Sequence, residues 1–129
     1  MPPPPARCLT LVANTVEDLI VPAIMPFVQQ HIQSENWRYR EAATMAFSSI
    51  LEGPSGAAIG PYVNQSIPVL LAALSDPNDL VKDTTAWTIG RICDLHVHSI
   101  PEDIFPTLVN GLAGKLLRCV RAGGRAARA

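Results

Sequence analysis

Met25-Pro26-Phe27-Val28-Gln29-Gln30-His31-Ile32 returns 42 residues later as Ile67-Pro68-Val69-Leu70-Leu71-Ala72-Ala73-Leu74. The register holds outward from there. The polar break Ser34-Glu35-Asn36 falls on Asp76-Pro77-Asn78, Tyr39-Arg40-Glu41 meets Val81-Lys82-Asp83, Phe47 meets Ile89, and Ile50 meets Ile92. A partial third copy follows after 38 residues, where Phe105-Pro106-Thr107-Leu108 matches Ile67-Pro68-Val69-Leu70 and Leu112 matches Leu74. Units of about 40 residues, each two helices around a polar turn, bury their apolar faces only against neighbouring units. The expected fold is all-α: a right-handed superhelical stack of antiparallel helix pairs. Its extended surface suits binding better than catalysis.

Composition agrees. The chain has 129 residues, 48% of them hydrophobic but only 5% aromatic, as helices packed through small and aliphatic side chains require. The apolar run Ile67–Leu74 is broken by Pro68 and falls short of the roughly 20 residues that span a bilayer. The opening Met1-Pro2-Pro3-Pro4-Pro5 lacks the basic flank and apolar core of a secretory signal. Three cysteines, Cys8, Cys93 and Cys119, are an odd number at unrelated spacings. Cys8 and Cys93 fall in apolar helical patterns, so buried thiols in a reducing compartment are expected.

Charge divides the chain. From residue 8 to 112, eleven acids stand against Arg38, Arg40, Lys82 and Arg91, leaving a formal −7. Lys115, Arg118, Arg121, Arg125 and Arg128 follow within the last fifteen residues. An acidic body attracts basic partners and repels a phosphate backbone. The Ala/Gly/Arg-rich end reads as a disordered tail rather than a nucleic-acid arm. The chain is therefore divided into a non-repeat segment 1–7, a repeat body 8–112 and a disordered basic tail 113–129.

Helices are expected over Ala6–Asn14, Asp18–Gln33, Trp37–Leu51, Tyr62–Leu74 and Asn78–Leu95, with a last partial helix to Leu112. Gly53-Pro54-Ser55-Gly56 is a helix stop. Pro26 and Pro68 lie inside their helices, where each removes a backbone hydrogen bond. Arg38 and Arg40 are expected to brace the turn between paired helices, and Asp76 and Asp79 to cap the helix that follows it.

The second helix of each unit carries the candidate site. At about 100° per residue, Thr85, Thr88, Ile89 and Ile92 fall on one buried stripe with Val81. Trp87 points about 120° away, on the side of Asp83, Arg91 and Asp94. The same shift of 42 places Glu41, Met45 and Glu52 at the equivalent positions one unit earlier. A large apolar side chain between carboxylates accepts the stem of a Lys or Arg on its surface and the charge between the acids. The same geometry also allows Trp87 to pack against an adjoining unit. The rest of the chain offers no stronger chemistry. His96-Val97-His98 has no third metal ligand nearby, and neither a nucleophile triad nor a phosphate loop is spelled out. No cofactor is expected.

Trp37-Arg38-Tyr39-Arg40-Glu41-Ala42-Ala43, Ile50-Leu51-Glu52-Gly53-Pro54 and Val81-Lys82-Asp83-Thr84-Thr85-Ala86-Trp87-Thr88-Ile89-Gly90-Arg91-Ile92 resemble the middle HEAT repeats of the importin-β (karyopherin-β) family. The resemblance covers Cys8 to Leu112. It implies a HEAT-repeat α-solenoid without catalytic activity, working in cytoplasm and nucleus. The implied partners are the basic segment of importin-α or basic cargo, the GTPase Ran and phenylalanine-glycine nucleoporins, with no nucleic acid and no membrane insertion. It further implies that Trp87 meets the basic segment, assisted by Asp83, Asp94 and Glu41. The ends depart from the family pattern: Met1–Arg7 looks foreign to a repeat, and Gly114-Lys115-Leu116 leads into a glycine- and arginine-rich run. A fragment is expected, with most contacts to Ran and nucleoporins outside it. A general HEAT scaffold holding other subunits is the alternative. Two full units with bare apolar ends also imply marginal stability.

Overall fold

In the computed structural model, residues 4–128 are described, with side chains through Arg118. Six α-helices follow one another: α1 Pro4–Val16, α2 Ile20–His31, α3 Trp37–Ser49, α4 Gly56–Ala73, α5 Asp79–Leu95 and α6 Phe105–Arg128. Single 3₁₀ turns sit at Glu17–Leu19, Val97–Ser99 and Glu102–Ile104, and no strand occurs among the described residues.

The repeat register reappears as repeated local chemistry. Asn36 Oδ1 accepts the backbone N–H of Arg38 at 3.1 Å, and Asn78 Oδ1 accepts that of Leu80 at 2.9 Å. Both asparagines are extended residues that cap an inner helix by satisfying a free N–H of its first turn. Ser55 caps α4 in the same way through Ala58, which moves the start of that helix from the expected Tyr62 back to Gly56. Asp79 is the first residue of α5 rather than its cap.

α3 and α5 lie side by side as the inner layer, with α2 packed on α3 and α4 on α5. α1 closes one end against α3. Phe47, Ile50, Ile59, Val63, Leu70, Ile89 and Ile92 are shielded from solvent in one core that runs through both units. The loop after α3 returns to α1 at Gly53, whose φ is +112°; a Cβ there would lie 2.4 Å from the Ala13 carbonyl oxygen. Arg40 braces the preceding turn as expected, donating to the carbonyls of Ser34 and Glu35 at 2.8 and 3.0 Å. It also reaches across to Asp76 of the next unit, with Nε–Oδ2 at 2.8 Å and Nη2–Oδ1 at 3.0 Å.

Four expectations need correction. The segment 113–129 was expected to be disordered and α6 to stop at Leu112, yet α6 continues to Arg128. In the third copy the turn positions hold Gly114-Lys115-Leu116 in place of Asp76-Pro77-Asn78. No proline breaks the ladder there, no side chain offers a cap, and Leu, Lys, Arg and Ala are good helix formers. Of the segment 1–7, Pro4–Arg7 belong to α1, which buries Ala6, and residues 1–3 lie outside the described residues. Cys8 is exposed, since α1 buries only the face carrying Ala6 and Ala13. Cys93 is half-buried, and burial pushes its thiol pKa up, away from the reactive thiolate. The side chain of Cys119 lies outside the described residues.

The fourth correction concerns apolar length. Pro4–His31 contains an 18-residue window of mean hydropathy 1.5, long and apolar enough by composition alone to cross a membrane. It is two helices, however, parted by a turn that carries Glu17 and Asp18, and Glu17 takes a positive φ of 53°. Asp18 accepts the backbone N–H and hydroxyl of Ser55 at 2.6 and 3.0 Å. The buried residues Ile20, Val21, Met25 and Val28 belong to the core.

Candidate functional site

The buried stripe of α5 is Val81, Thr84, Thr85, Thr88, Ile89 and Ile92. Thr85 and Thr88 satisfy their hydroxyls on the carbonyls one turn back, at 2.6 and 2.7 Å, so polar side chains fit inside the apolar seam without loss. This stripe turns Asp83, Trp87 and Asp94 away from the core, and all three are exposed. Trp87 keeps 39% of its surface open.

The ring of Trp87 already has a cation beside it. The guanidinium carbon of Arg91, one turn further on, lies 5.3 Å from the ring centroid. Arg91 is anchored at its other side, where Nε donates to the Ser48 carbonyl at 3.3 Å and Nη2 approaches the Glu52 carboxylate at 3.7 Å. That last distance is an ion pair but not a hydrogen bond, and Nη2 is closed off from solvent without another partner. Asp83 carries a second internal cation, with Lys115 Nζ at 2.7 Å from its Oδ1.

The two equivalent faces anticipated from the repeat are not equally open. On α3, Met45 is half-buried. Glu41 is half-buried as well, 3.5 Å from the Thr84 hydroxyl, which donates to it. Glu52 lies beyond the end of α3 and serves Arg91. The structure therefore brings Trp87, Arg91 and Glu52 together, places Asp83 and Asp94 on the same face of α5, and sets Glu41 and Met45 to one side. Sequence reasoning missed Arg91 as the cation on Trp87 and Lys115 as the partner of Asp83. The first was readable, because residues four apart on a helix are neighbours.

Among the described residues, no cluster of three or more His, Cys, Asp or Glu side chains is arranged to hold a metal ion. His96 turns its Nε2 to the Leu51 carbonyl and so fastens the end of α5 to the loop after α3. On the opposite, outer side, α2 and α4 leave a shallow apolar cavity of about 170 Å³, lined by Met25, Val28, Ile32, Tyr62 and Val69 among others.

Residues 37–92 match the family model of the HEAT-like repeat. The importin subunit beta-1 of Schizosaccharomyces pombe is 50% identical over 99 residues, covering 77% of this chain and 12% of that relative. Two solved structures, Kap95p with RanGDP and the Kap95:Nup1 complex, each superpose with a TM-score of 0.79 at 42% identity, over 82% of this chain and 12% of theirs. A stack of helix pairs whose inner helices share one core is a HEAT-repeat solenoid. Within that class the chain belongs to the importin-β family, and it spans about 12% of the length of the curated relatives it matches.

Proposed function

We propose that this chain is a non-catalytic segment of a nuclear import receptor, moving between cytoplasm and nucleus, whose α5 face grips a basic peptide such as the importin-α basic segment. The observation that carries the reading is the exposed Trp87 ring on one stripe with Asp83 and Asp94, in a body of formal charge −7. The guanidinium of Arg91, 5.3 Å from the ring centroid, supports the reading that this ring takes a cation. A ligand Lys or Arg would lie on the open part of the ring and place its charge toward the acids.

Ran and nucleoporins accompany the structural neighbours. They enter this proposal as partners of the whole receptor, and the outer cavity between α2 and α4 has the size and apolar lining for one aromatic side chain. A general scaffold would lack the preference for basic peptides and the salt dependence that follows from it.

Trp87→Ala tests the reading, because it removes the contact and leaves the buried stripe of α5 intact. Cation–π contacts contribute roughly 0.5–2 kcal/mol, and tryptophan truncation at an interface can cost more than about 2 kcal/mol. The expected result is about tenfold weaker binding of a Lys/Arg-rich importin-α peptide with unchanged helical circular dichroism. Lost helicity with unchanged affinity in the folded fraction would instead make Trp87 a packing residue.

A further inference from the structure

The inward face of α6 changes character along its length. Leu108 is buried, and Gly111 lets the helix approach Leu74 closely enough that a Cβ would come within 3.0 Å of it. Leu112 follows, half-buried. One turn later the same face carries Lys115 and then Arg118, while Leu116 and Leu117 face solvent. A stripe that starts apolar thus becomes cationic where it passes the acidic end of α5.

We propose that this part of α6 is an internal competitor for the basic-peptide site: Lys115 occupies Asp83, and a Lys- or Arg-rich ligand binds fully only by displacing it. The inference rests on the basic-peptide reading of Trp87 and Asp83 given above. Three observations support it. Lys115 keeps only 12% of its side chain exposed, so its ammonium is laid against the body, whereas Asp83 keeps 63% and stays reachable. Asp83 lies one helical turn before Trp87 on the same face, so a ligand cation on the ring has Asp83 as a neighbour. Arg118 fastens the next turn of α6 by donating to the Leu74 carbonyl at 3.3 Å, at the C-terminal end of α4, where a helix favours positive charge.

Beside the packed stem of Lys115, the polar contacts made by Lys115 and Arg118 among the described residues are one ion pair and one hydrogen bond. Contacts of this kind are weak against salt and against a competing cation. The apolar anchors Leu108 and Leu112 lie earlier in α6 and hold the first half of the helix in place. The second half can yield without unseating the first. Arg91 differs, because its hydrogen bond to Ser48 lies within the seam between units and remains when a ligand arrives.

The test is titration of a fluorescent Lys/Arg-rich peptide into the full chain and into Lys115→Gln, Lys115→Arg, Asp83→Asn and the Asp83→Asn/Lys115→Gln double variant, each checked for helical content. Release of a partly exposed ion pair predicts about threefold to fivefold tighter binding by Lys115→Gln. Lys115→Arg should keep wild-type affinity, Asp83→Asn should bind more weakly, and Lys115→Gln should have no effect once Asp83 is gone. Equal or weaker binding by Lys115→Gln, with Asp83→Asn still impaired, overturns the internal competitor and leaves the site reading standing. Failure of both the wild type and Lys115→Gln to bind overturns the site reading, and the competitor with it.

Discussion

Between the first and second units, Asp76 presents both carboxylate oxygens to Arg40; between the second and third, the matching position is Gly114 and has nothing to present. Lys82, which stands where Arg40 stands one unit earlier, turns instead to Asp79 of its own helix at 2.7 Å. The first seam is tied by a planar, two-point, partly buried pair, with side chains 19% and 8% exposed. The second is tied by Lys115, which draws on Asp83 of the inner face, and by Arg118, which donates to the Leu74 carbonyl. The comparison shows how a solenoid spends its charges. Where a seam supplies its own carboxylate, as Asp76 does, no acid of the inner face is needed to pair with a cation of the turn. Where it does not, an acid of that face is drawn into holding the stack together.

The loop that closes the first unit sharpens this contrast most. Gly53 adopts a conformation that L side chains rarely take, and it lies directly against the α1 backbone. Its counterpart in the second unit is Leu95, a partly exposed side chain at the end of α5. Gly53→Ala should destabilise the chain by about 3 kcal/mol, combining the left-handed penalty with the clash at Ala13. Leu95→Ala should cost about 1 kcal/mol or less. Urea unfolding of both variants measures the difference. Similar small losses would mean that α1 is not seated on this loop.

Asp76→Asn comes next, with an expected loss of about 2 kcal/mol, since it leaves a partly buried guanidinium with a poorer acceptor. The pH dependence has a definite sign. Burial of Asp76 acts to raise its pKa, but hydrogen bonds from Arg40 and the Asn78 backbone, with the charges of Arg40 and Lys82, outweigh it and leave the pKa lowered. The folded carboxyl thus ionises at lower pH than the unfolded one. Its stabilisation is fully present above the ordinary carboxylate range and is lost as the pH falls through the lowered folded value. The gap between wild type and Asp76→Asn should therefore close on acidification. A gap that persists to the lowest pH at which the fold survives would place the effect in packing rather than charge.

Much of this was legible in the sequence, and the exceptions share a cause. Helix periodicity alone placed Val81, Thr85, Ile89 and Ile92 inside and Trp87 outside, because the inner helix is buried along one stripe. The 42-residue register matched the polar turns Ser34-Glu35-Asn36 and Asp76-Pro77-Asn78, but the helices that follow are capped by Asn36 and Asn78 and not, as expected, by Asp76 and Asp79. Periodicity cannot say which faces find a neighbour. Cys8 therefore read as buried on a helix that packs along one side only. Glu41 and Met45 read as open although α5 lies beside them. The continuation of α6 had a signal that composition concealed: carrying the third copy through its turn shows no proline and no cap at Gly114-Lys115-Leu116. The pairing of Lys115 with Asp83 spans two helices and follows no local rule.

The smallest effect belongs to Lys82, and it isolates the second seam. Its partner Asp79 is almost wholly exposed, and a pair of that kind three residues apart on a helix adds little to a fold. Lys82 itself is only 18% exposed, so its stem contributes packing that a shorter side chain would lose. Lys82→Gln is the suitable change, because it removes the charge and keeps most of the stem. The urea midpoint should stay within experimental scatter of wild type. The readable change is at Asp79, whose pKa is lowered first by the hydrogen bond from Lys82 and then by its charge, while slight burial acts to raise it and the more distant Lys115 adds a smaller lowering. In Lys82→Gln the Asp79 carboxyl, followed by NMR titration, should move up to the ordinary carboxylate value, because the slight burial that raises its pKa outweighs the distant charge of Lys115 that lowers it. A carboxyl that stays well below that value would show that Lys115 acts on this end of α5 more strongly than its distance suggests. A clear loss of stability would show that Lys82 serves the second seam as Arg40 serves the first, and the two seams would then be alike.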